Sequence, residues 1–198
     1  MPGTRRYDSG NTRKEIIEHA QTLFSQKGYN QTSVADLAKA SGYSKGHIYY
    51  HFENKEKLFV LLAQRTMKEW NDKWMKKELI YQTASEKLYG MAKHVLYHYQ
   101  TPLLRSGQEL AANPQSSPES VKQLYELAVV PMAAYRAIFT EGIKNGEFAA
   151  HGNADQWTAL YGTWLGGLCQ LTNTQEPASL EPLFLEATSI FLKSIQSS

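Results

Sequence analysis

The sequence predicts an all-α fold of about nine helices, and three observations carry that prediction. Apolar residues recur at helical spacing, i, i+4 and i+7, through almost the whole 198-residue chain. Strand-type alternation is missing at any useful length. Between Thr32 and Phe52 the chain runs cap, short helix, glycine turn, cap, short helix, the arrangement of a helix-turn-helix bundle.

Each element has a local cause. Ile16, Ile17, Ala20, Leu23 and Phe24 make the inward stripe of a first helix, which Lys27-Gly28 ends by supplying a left-handed residue. Thr32 or Ser33 N-caps a second helix, and Ser33 with Asp36 has capping-box spacing. That helix turns Val34, Leu37 and Ala38 inward and stops near Ser41-Gly42. Ser44 caps a third, Lys45 to His51, anchored by Ile48 and Phe52. From Asn54 to about Lys77, a long helix carries Leu58, Phe59, Leu62, Thr66, Trp70 and Trp74 on one face.

Leu88, Met91, Val95 and His98 or Tyr99 define the next helix, which ends before Pro102. A short helix from Leu103 to Ala112 and a polar loop, Asn113 to Pro118, follow. Val121 to Lys144 reads as a long helical segment that Pro131 kinks or splits, and Asn145-Gly146 ends it. Asp155 to Thr172 and Leu180 to Ile195 form the last pair, joined by a Thr/Asn/Pro-rich link.

Composition narrows the function classes. At 42% hydrophobic and 12% aromatic the chain can build a core, and no run approaches 18 apolar residues, so neither disorder nor a membrane span is expected. Met1 to Thr12 is polar and does not read as a secretory signal. A lone cysteine, Cys169, excludes an intrachain disulfide and a multi-cysteine zinc site, and a reducing cytoplasmic location is the expectation. Charge is uneven: 14 Lys+Arg against 9 Asp+Glu between Met1 and Glu78, but 7 against 10 between Leu79 and Ser198. A basic front on an acidic remainder points to a polyanion at the N-terminal part.

The stretch from Thr32 to Lys55, TSVADLAKASGYSKGHIYYHFENK, carries the chemistry. Its third helix presents Lys45, Gly46, His47, Tyr49, Tyr50 and His51 around an inward Ile48, a shape suited to a DNA major groove. Gly46 lets the backbone approach closely, while Lys45 and the tyrosine hydroxyls can reach base edges or phosphates. The helix starts at Thr32/Ser33 and Ser44 offer N–H groups to phosphate oxygens. Arg5, Arg6, Arg13 and Lys14 extend the positive field. A structural helical hairpin with a polar surface is the competing reading of the spacing alone.

The pattern, above all GYSKGHIYYHFENKEKLF from Gly42 to Phe59, resembles the DNA-binding domain of the TetR family of bacterial repressors. The resemblance implies a helix-turn-helix domain at 1–55, a ligand-binding and dimerisation domain at 56–198, a homodimer, double-stranded operator DNA with two-fold character, and release by a small-molecule inducer. By matching positions, Ser44, Lys45, Gly46, Tyr49, Tyr50, His51 and Lys55 fall at DNA-contacting sites, joined by His47 from the exposed face, with Thr32 and Ser33 at the phosphate-contacting helix start. KEWNDKWMKKE at Lys68 to Glu78 and YRAIFTEGIKNGEF at Tyr135 to Phe148 are similar to the multidrug efflux repressors of the quaternary ammonium type.

For the ligand, Trp70, Trp74, His94, His98, Tyr99, Glu109, Tyr125 and Trp164 are the candidate contacts, because aromatic faces attract flat lipophilic molecules and cations. Two pocket acids of the efflux-repressor pattern fall near Tyr99 and Ala128 here, so neutral and acidic inducers stay open beside cations. The pairs His47/His51 and His94/His98 have chelating i, i+4 spacing. Roles as polar groups on a helix are expected for both, with no metal. Trp157, Tyr161, Leu165, Leu168, Phe184, Ala187 and Phe191 are the candidate dimerisation residues, on an apolar face opened by Gly162, Gly166 and Gly167; burial within one protomer is the competing reading.

An enzyme is not expected: GxSxG, HExxH and a phosphate loop are all missing, and so is any cofactor fingerprint. The residual alternatives are a regulator of metabolism with a non-drug ligand, an activator, and a non-specific DNA-binding or interaction protein.

Overall fold

The computed structural model describes residues 9–99 and 101–196; Arg5 and Arg6 lie outside them. Among the described residues there are ten α-helices: α1 (Ser9–Lys27), α2 (Val34–Ser41), α3 (Lys45–Phe52), α4 (Lys55–Glu78), α5 (Ala84–His98), α6 (Pro102–Ala112), α7 (Pro118–Glu126), α8 (Val129–Lys144), α9 (Ala154–Cys169) and α10 (Pro177–Ile195). A 3-10 turn, Gln170–Asn173, extends α9, and Phe148 and Gln196 form an isolated antiparallel bridge. No described helix is long and apolar enough to cross a membrane.

Sequence expectation and structure agree at the helix starts, where the causes are local. Ser33 accepts from the Asp36 N–H while Asp36 accepts from the Ser33 N–H, completing the capping box of α2. Gly42, at φ +73°, ends that helix and donates its N–H to Ala38. Ser44 caps α3 through the His47 N–H. The segment from Val121 to Lys144 is two helices, as a proline there requires, but the break falls at Leu127-Ala128, ahead of Pro131. A proline lacks the N–H that would bond four residues back and crowds that carbonyl; Pro131 therefore sits in the first turn of α8, where neither matters.

The chain divides into two compact units, and α4 contributes to both. The first unit holds the residues up to Thr66 together with Thr101–Glu126. Its core joins Ile16, Ala20 and Phe24 of α1 to Leu37, Ile48, Leu58, Phe59, Leu103 and Leu110. Phe59 meets Phe24 edge-on at 5.0 Å and Tyr29 at 5.3 Å, and burying each such ring stabilises by about 1.5–3 kcal/mol. Three polar ties bring α6 and α7 in. Ser106 donates to the Phe24 carbonyl (2.7 Å), Glu109 accepts from the Asn30 N–H (3.0 Å), and Glu56 accepts from the Ser117 hydroxyl (2.7 Å).

The second unit is organised around α5, whose Leu88, Met91, Ala92, Val95 and Leu96 share one core with Tyr135, Ile138, Phe139, Tyr161, Leu165, Phe184, Phe191 and Leu192. Thr83 and Glu86 box the start of α5, and Glu147 adds a carboxylate to the Ala84 and Ser85 N–H groups. Tyr161 ties α9 to α5 and α10, reaching the Leu88 carbonyl (3.2 Å) and the Thr188 hydroxyl (2.8 Å). Cys169 is buried in the same core, and burial pushes its thiol up to about 12, so it is a packing residue.

Within one protomer, most of the candidate dimerisation residues are taken up by the core. Tyr161, Leu165, Phe184, Ala187 and Phe191 are buried within the protomer, and Trp157 and Leu168 are half-buried. Both faces of α9 and α10 are apolar, and the core takes these residues because they point toward α5 and α8. Leu160, Trp164, Leu183 and Ile190 are the large apolar residues that remain exposed on the two helices.

Candidate functional site

Helix α3 rests on two buried anchors, Ile48 and Phe52. Lys45, Gly46, Tyr49 and Tyr50 are exposed on its outer side, and His47 and His51 are half-buried at its flanks. A shallow hollow lined by Ser44, Gly46, His47 and Tyr50 opens on that face. Ser44 receives the His47 N–H (3.2 Å) and its hydroxyl lies 2.8 Å from His47 Nδ1, so one side chain both starts the helix and orients the ring. Tyr43 donates to Glu15 (2.7 Å), pinning the turn before α3 to α1. Burial, with His47 and Arg13 nearby, lowers the His51 pKa; at neutral pH its imidazole is an uncharged hydrogen-bonding group.

Three sequence candidates for DNA contact also make contacts within the first unit. Thr32 is fully buried, and its hydroxyl donates to the Gly28 carbonyl (2.7 Å). The Lys55 ammonium donates to the carbonyls of Tyr29 and Thr32, each at 3.0 Å, and lies over the Tyr29 ring. It closes the loop between α1 and α2 from within. Ser33 is committed to Asp36, whose carboxylate already occupies the start of α2 and is held down to about 2 by the Ser33 hydroxyl and N–H. A phosphate at that helix start would meet a carboxylate, so Ser44 offers the better N-terminal site.

The second unit gathers Trp70, Trp74, His94, His98 and Tyr99. The His94 ring lies 4.7 Å from Trp70, 5.6 Å from Trp74 and 5.0 Å from His98, and Tyr99 meets Trp70 edge-on at 6.1 Å. Trp70 and Trp74 share a face of α4, and His94 and His98 a face of α5, by i, i+4 spacing. Trp70, Trp74 and His94 are buried, Tyr99 is half-buried and His98 is exposed. His94 Nε2 is 3.1 Å from the Trp70 carbonyl; a carbonyl only accepts, so Nε2 carries the proton and Nδ1 is left as an acceptor. Trp70 Nε1, Trp74 Nε1 and His94 Nδ1 have no hydrogen-bond partner among the described residues. An unsatisfied buried polar group costs about 1–3 kcal/mol, and three in one aromatic cluster mark a place that packing alone does not explain.

The remaining ligand candidates sit elsewhere. Glu109 and Tyr125 belong to the first unit: the Glu109 carboxylate is committed to the Asn30 N–H, and Tyr125 is exposed on α7. Trp164 stands on the outer side of α9 against Phe191, beside an apolar groove lined by Ala159, Leu160, Thr163 and Ser194. Sequence spacing exposed the aromatic pairs but not the orphaned nitrogens, which depend on what the fold brings opposite them. Among the described residues no group of three or more His, Cys, Asp or Glu has metal-binding geometry.

Burial, the Trp70 hydrogen bond, and His98, Lys77 and Lys73 nearby set the His94 pKa at about 4, with burial dominant and lowering it. The unfolded chain, titrating near 6.5, therefore binds a proton that the folded protein refuses between about pH 6.5 and 4. His94 thus favours the folded state fully above that window and loses the contribution as pH falls through it. Melting temperature is expected to drop with acidification there, and His94→Gln, which keeps an N–H for Trp70, to drop less. Differential scanning calorimetry of the two proteins across the window checks this. Asp36 and Glu56, whose carboxyls are held below their ordinary range, act at lower pH.

A capped, outward-facing helix in the three-helix start of the first unit, together with a second helical unit with an aromatic interior, defines the class of helix-turn-helix transcriptional regulators. The family model described as "Bacterial regulatory proteins, tetR family" matches residues 16–62, and "QacR-like protein, C-terminal region" matches residues 66–197. The chain belongs to the TetR family, with a QacR-like C-terminal region; the family consists of regulators rather than enzymes.

It is 27% identical to the HTH-type transcriptional regulator QacR of Staphylococcus aureus over 93% of this chain and 98% of that relative. It is 30% identical to the fatty acid metabolism regulator protein of Bacillus subtilis over 67% of this chain and 69% of that one. The crystal structure of a TetR-family regulator from Mesorhizobium loti superposes with a TM-score of 0.78 at 23% identity, covering 98% of this chain and all of the other.

Proposed function

We propose that this chain is a ligand-responsive repressor acting in the cytoplasm as a homodimer. Two copies of α3 enter successive major grooves of a two-fold operator, and a small lipophilic or aromatic inducer, held by the Trp70–His94 cluster, releases them. The DNA-reading residues are Ser44, Lys45, Gly46, His47, Tyr49, Tyr50 and His51, with Thr32, Ser33 and Lys55 holding the frame. The observation that carries this reading is the outer face of α3, where a lysine, a glycine and two tyrosines stand exposed over a buried isoleucine. Efflux or detoxification genes are the proposed targets, by likeness to the QacR-like family.

Release requires that the inducer bind the DNA-incompetent arrangement more tightly, because only differential affinity moves the equilibrium. Helix α4 carries Trp70 and Trp74, and its first turns belong to the DNA-reading unit, so it is the proposed route of coupling. By reciprocity, operator DNA weakens the inducer by the same factor as the inducer weakens the operator.

The test is fluorescence anisotropy of the purified protein on the DNA upstream of its own gene, against scrambled DNA, over a salt series. A preference on the order of 10³-fold, falling steeply with salt, is expected of a specific regulator. In the same assay Tyr49→Ala is expected to weaken the specific complex and leave the salt slope unchanged. A folded dimer that binds neither DNA at low salt would end the repressor reading.

A further inference from the structure

The orphaned nitrogens of the aromatic cluster specify a ligand chemistry. This inference rests on the regulator reading above and deepens it. Among the described residues, Trp70 and Trp74 each bring one buried N–H with no acceptor, and His94 brings one buried lone pair, on Nδ1, with no donor. The unmet demand is two donors and one acceptor. A hydroxyl group offers the complement, one O–H to donate and two lone pairs to accept. A protonated carboxyl supplies the same pair of functions.

The surroundings sort the ligand's charge and shape. The His94 ring lies 4.7 Å from Trp70 and 5.6 Å from Trp74, with Tyr99 against Trp70 and Tyr81 against Trp74, so the polar atoms stand in aromatic surroundings that favour an aromatic ligand. Two cations, Lys73 and Lys77, act on His94, and His98 beside it is a base that partial burial keeps from protonating easily. Asp72, on the same stretch of α4, is paired with Lys68 at 2.6 Å. A lipophilic cation would gain from the ring faces, but it brings no acceptor to the indole N–H groups and adds a charge of the sign already present.

We propose that the inducer is a neutral hydroxyaromatic or protonated aryl carboxylic molecule, held by the Trp70 and Trp74 N–H groups and His94 Nδ1, and that lipophilic cations are poor ligands of this chain. Isothermal titration calorimetry on the full chain tests it with three probes of one shape: 2-naphthol, naphthalene and trimethyl(2-naphthyl)ammonium. 2-Naphthol is expected to bind at least about tenfold more tightly than the ammonium probe. Trp70→Phe with Trp74→Phe keeps two rings and removes both N–H groups. It is expected to weaken 2-naphthol by roughly tenfold and to leave naphthalene within about twofold. Trp74→Phe alone serves if the double variant fails to fold.

An ammonium probe that binds as tightly as 2-naphthol, a Trp→Phe variant that binds 2-naphthol unchanged, or no heat from any probe up to about 1 mM overturns the inference. Operator binding is measured on the same preparations. A protein that grips its operator but ignores 2-naphthol defeats this inference alone, whereas one that binds no operator defeats the regulator reading.

Discussion

Leu160→Glu is expected to turn the proposed dimer into a monomer and to weaken operator binding by about 10²-fold or more, because each protomer then holds the site through one reading helix instead of two. Leu160 is 62% exposed on α9, in the apolar groove it lines with Ala159, Trp164 and Phe191, and Leu183 and Ile190 add exposed apolar surface on α10. Contiguous apolar surface of this kind marks an interaction site, and a second copy of this chain is the occupant proposed above. In a two-fold interface the same patch appears twice, so one substitution places two carboxylates in an apolar contact. Within a protomer, the change touches only a surface position and should move stability by about 0.5 kcal/mol or less. Sedimentation velocity with operator titration checks it. A variant that stays dimeric and keeps its affinity would remove this face from the interface.

Phe139→Ala is expected to cost about 3–5 kcal/mol, among the largest penalties available to a single core substitution in this chain. Phe139 is fully buried and meets four other aromatic rings: Phe191 at 5.7 Å, Trp157 at 5.8 Å, Tyr161 at 5.9 Å and Phe148 at 6.2 Å. Truncation removes one partner from each of these contacts, and surrounding rings are too stiff to close the space. Melting temperature should fall on the order of 10 °C, at about 2–4 °C per kcal/mol for a chain this long. Tyr125→Ala, at an exposed site on α7, should shift it hardly at all. A loss at Phe139 no larger than at Tyr125 would show that the second unit's core is organised around other residues.

The helices were legible in the sequence because their punctuation is local. Ser33 with Asp36, Gly42 and Ser44 act within four residues of themselves, and their structural roles match their spacing. Most of the outward set on α3 was legible for the same reason, since two anchors on an eight-residue helix leave Lys45, Gly46, Tyr49 and Tyr50 outside, with His47 and His51 half-buried at the flanks.

Long-range commitments were not legible. Lys55 looks like one more exposed cation until the fold brings the carbonyls of Tyr29 and Thr32 to its ammonium from 26 and 23 residues away. Glu109 looks like a spare counter-ion, yet its partner is Asn30, 79 residues earlier. On α9 and α10 the difficulty is different. Hydropathy reports that Leu183, Phe184, Ala187 and Ile190 are apolar, but not that Phe184 and Ala187 face α5 while Leu183 and Ile190 face outward.

The return of α6 and α7 to the N-terminal helices has a consequence for how the protein is made and how it can be re-engineered. Emerging from the ribosome, α1 to α3 wait with one side of their core open, because Leu103 and Leu110 belong to it and the whole of α5 must be synthesised first. The tie from Ser106 to Phe24 spans 82 residues, so the reading head is finished late although it is translated early. A gene cut after α4 would therefore yield a sticky fragment rather than a free-standing reader. Any chimera meant to transplant the proposed operator preference must carry Thr101–Glu126 along with the N-terminal helices.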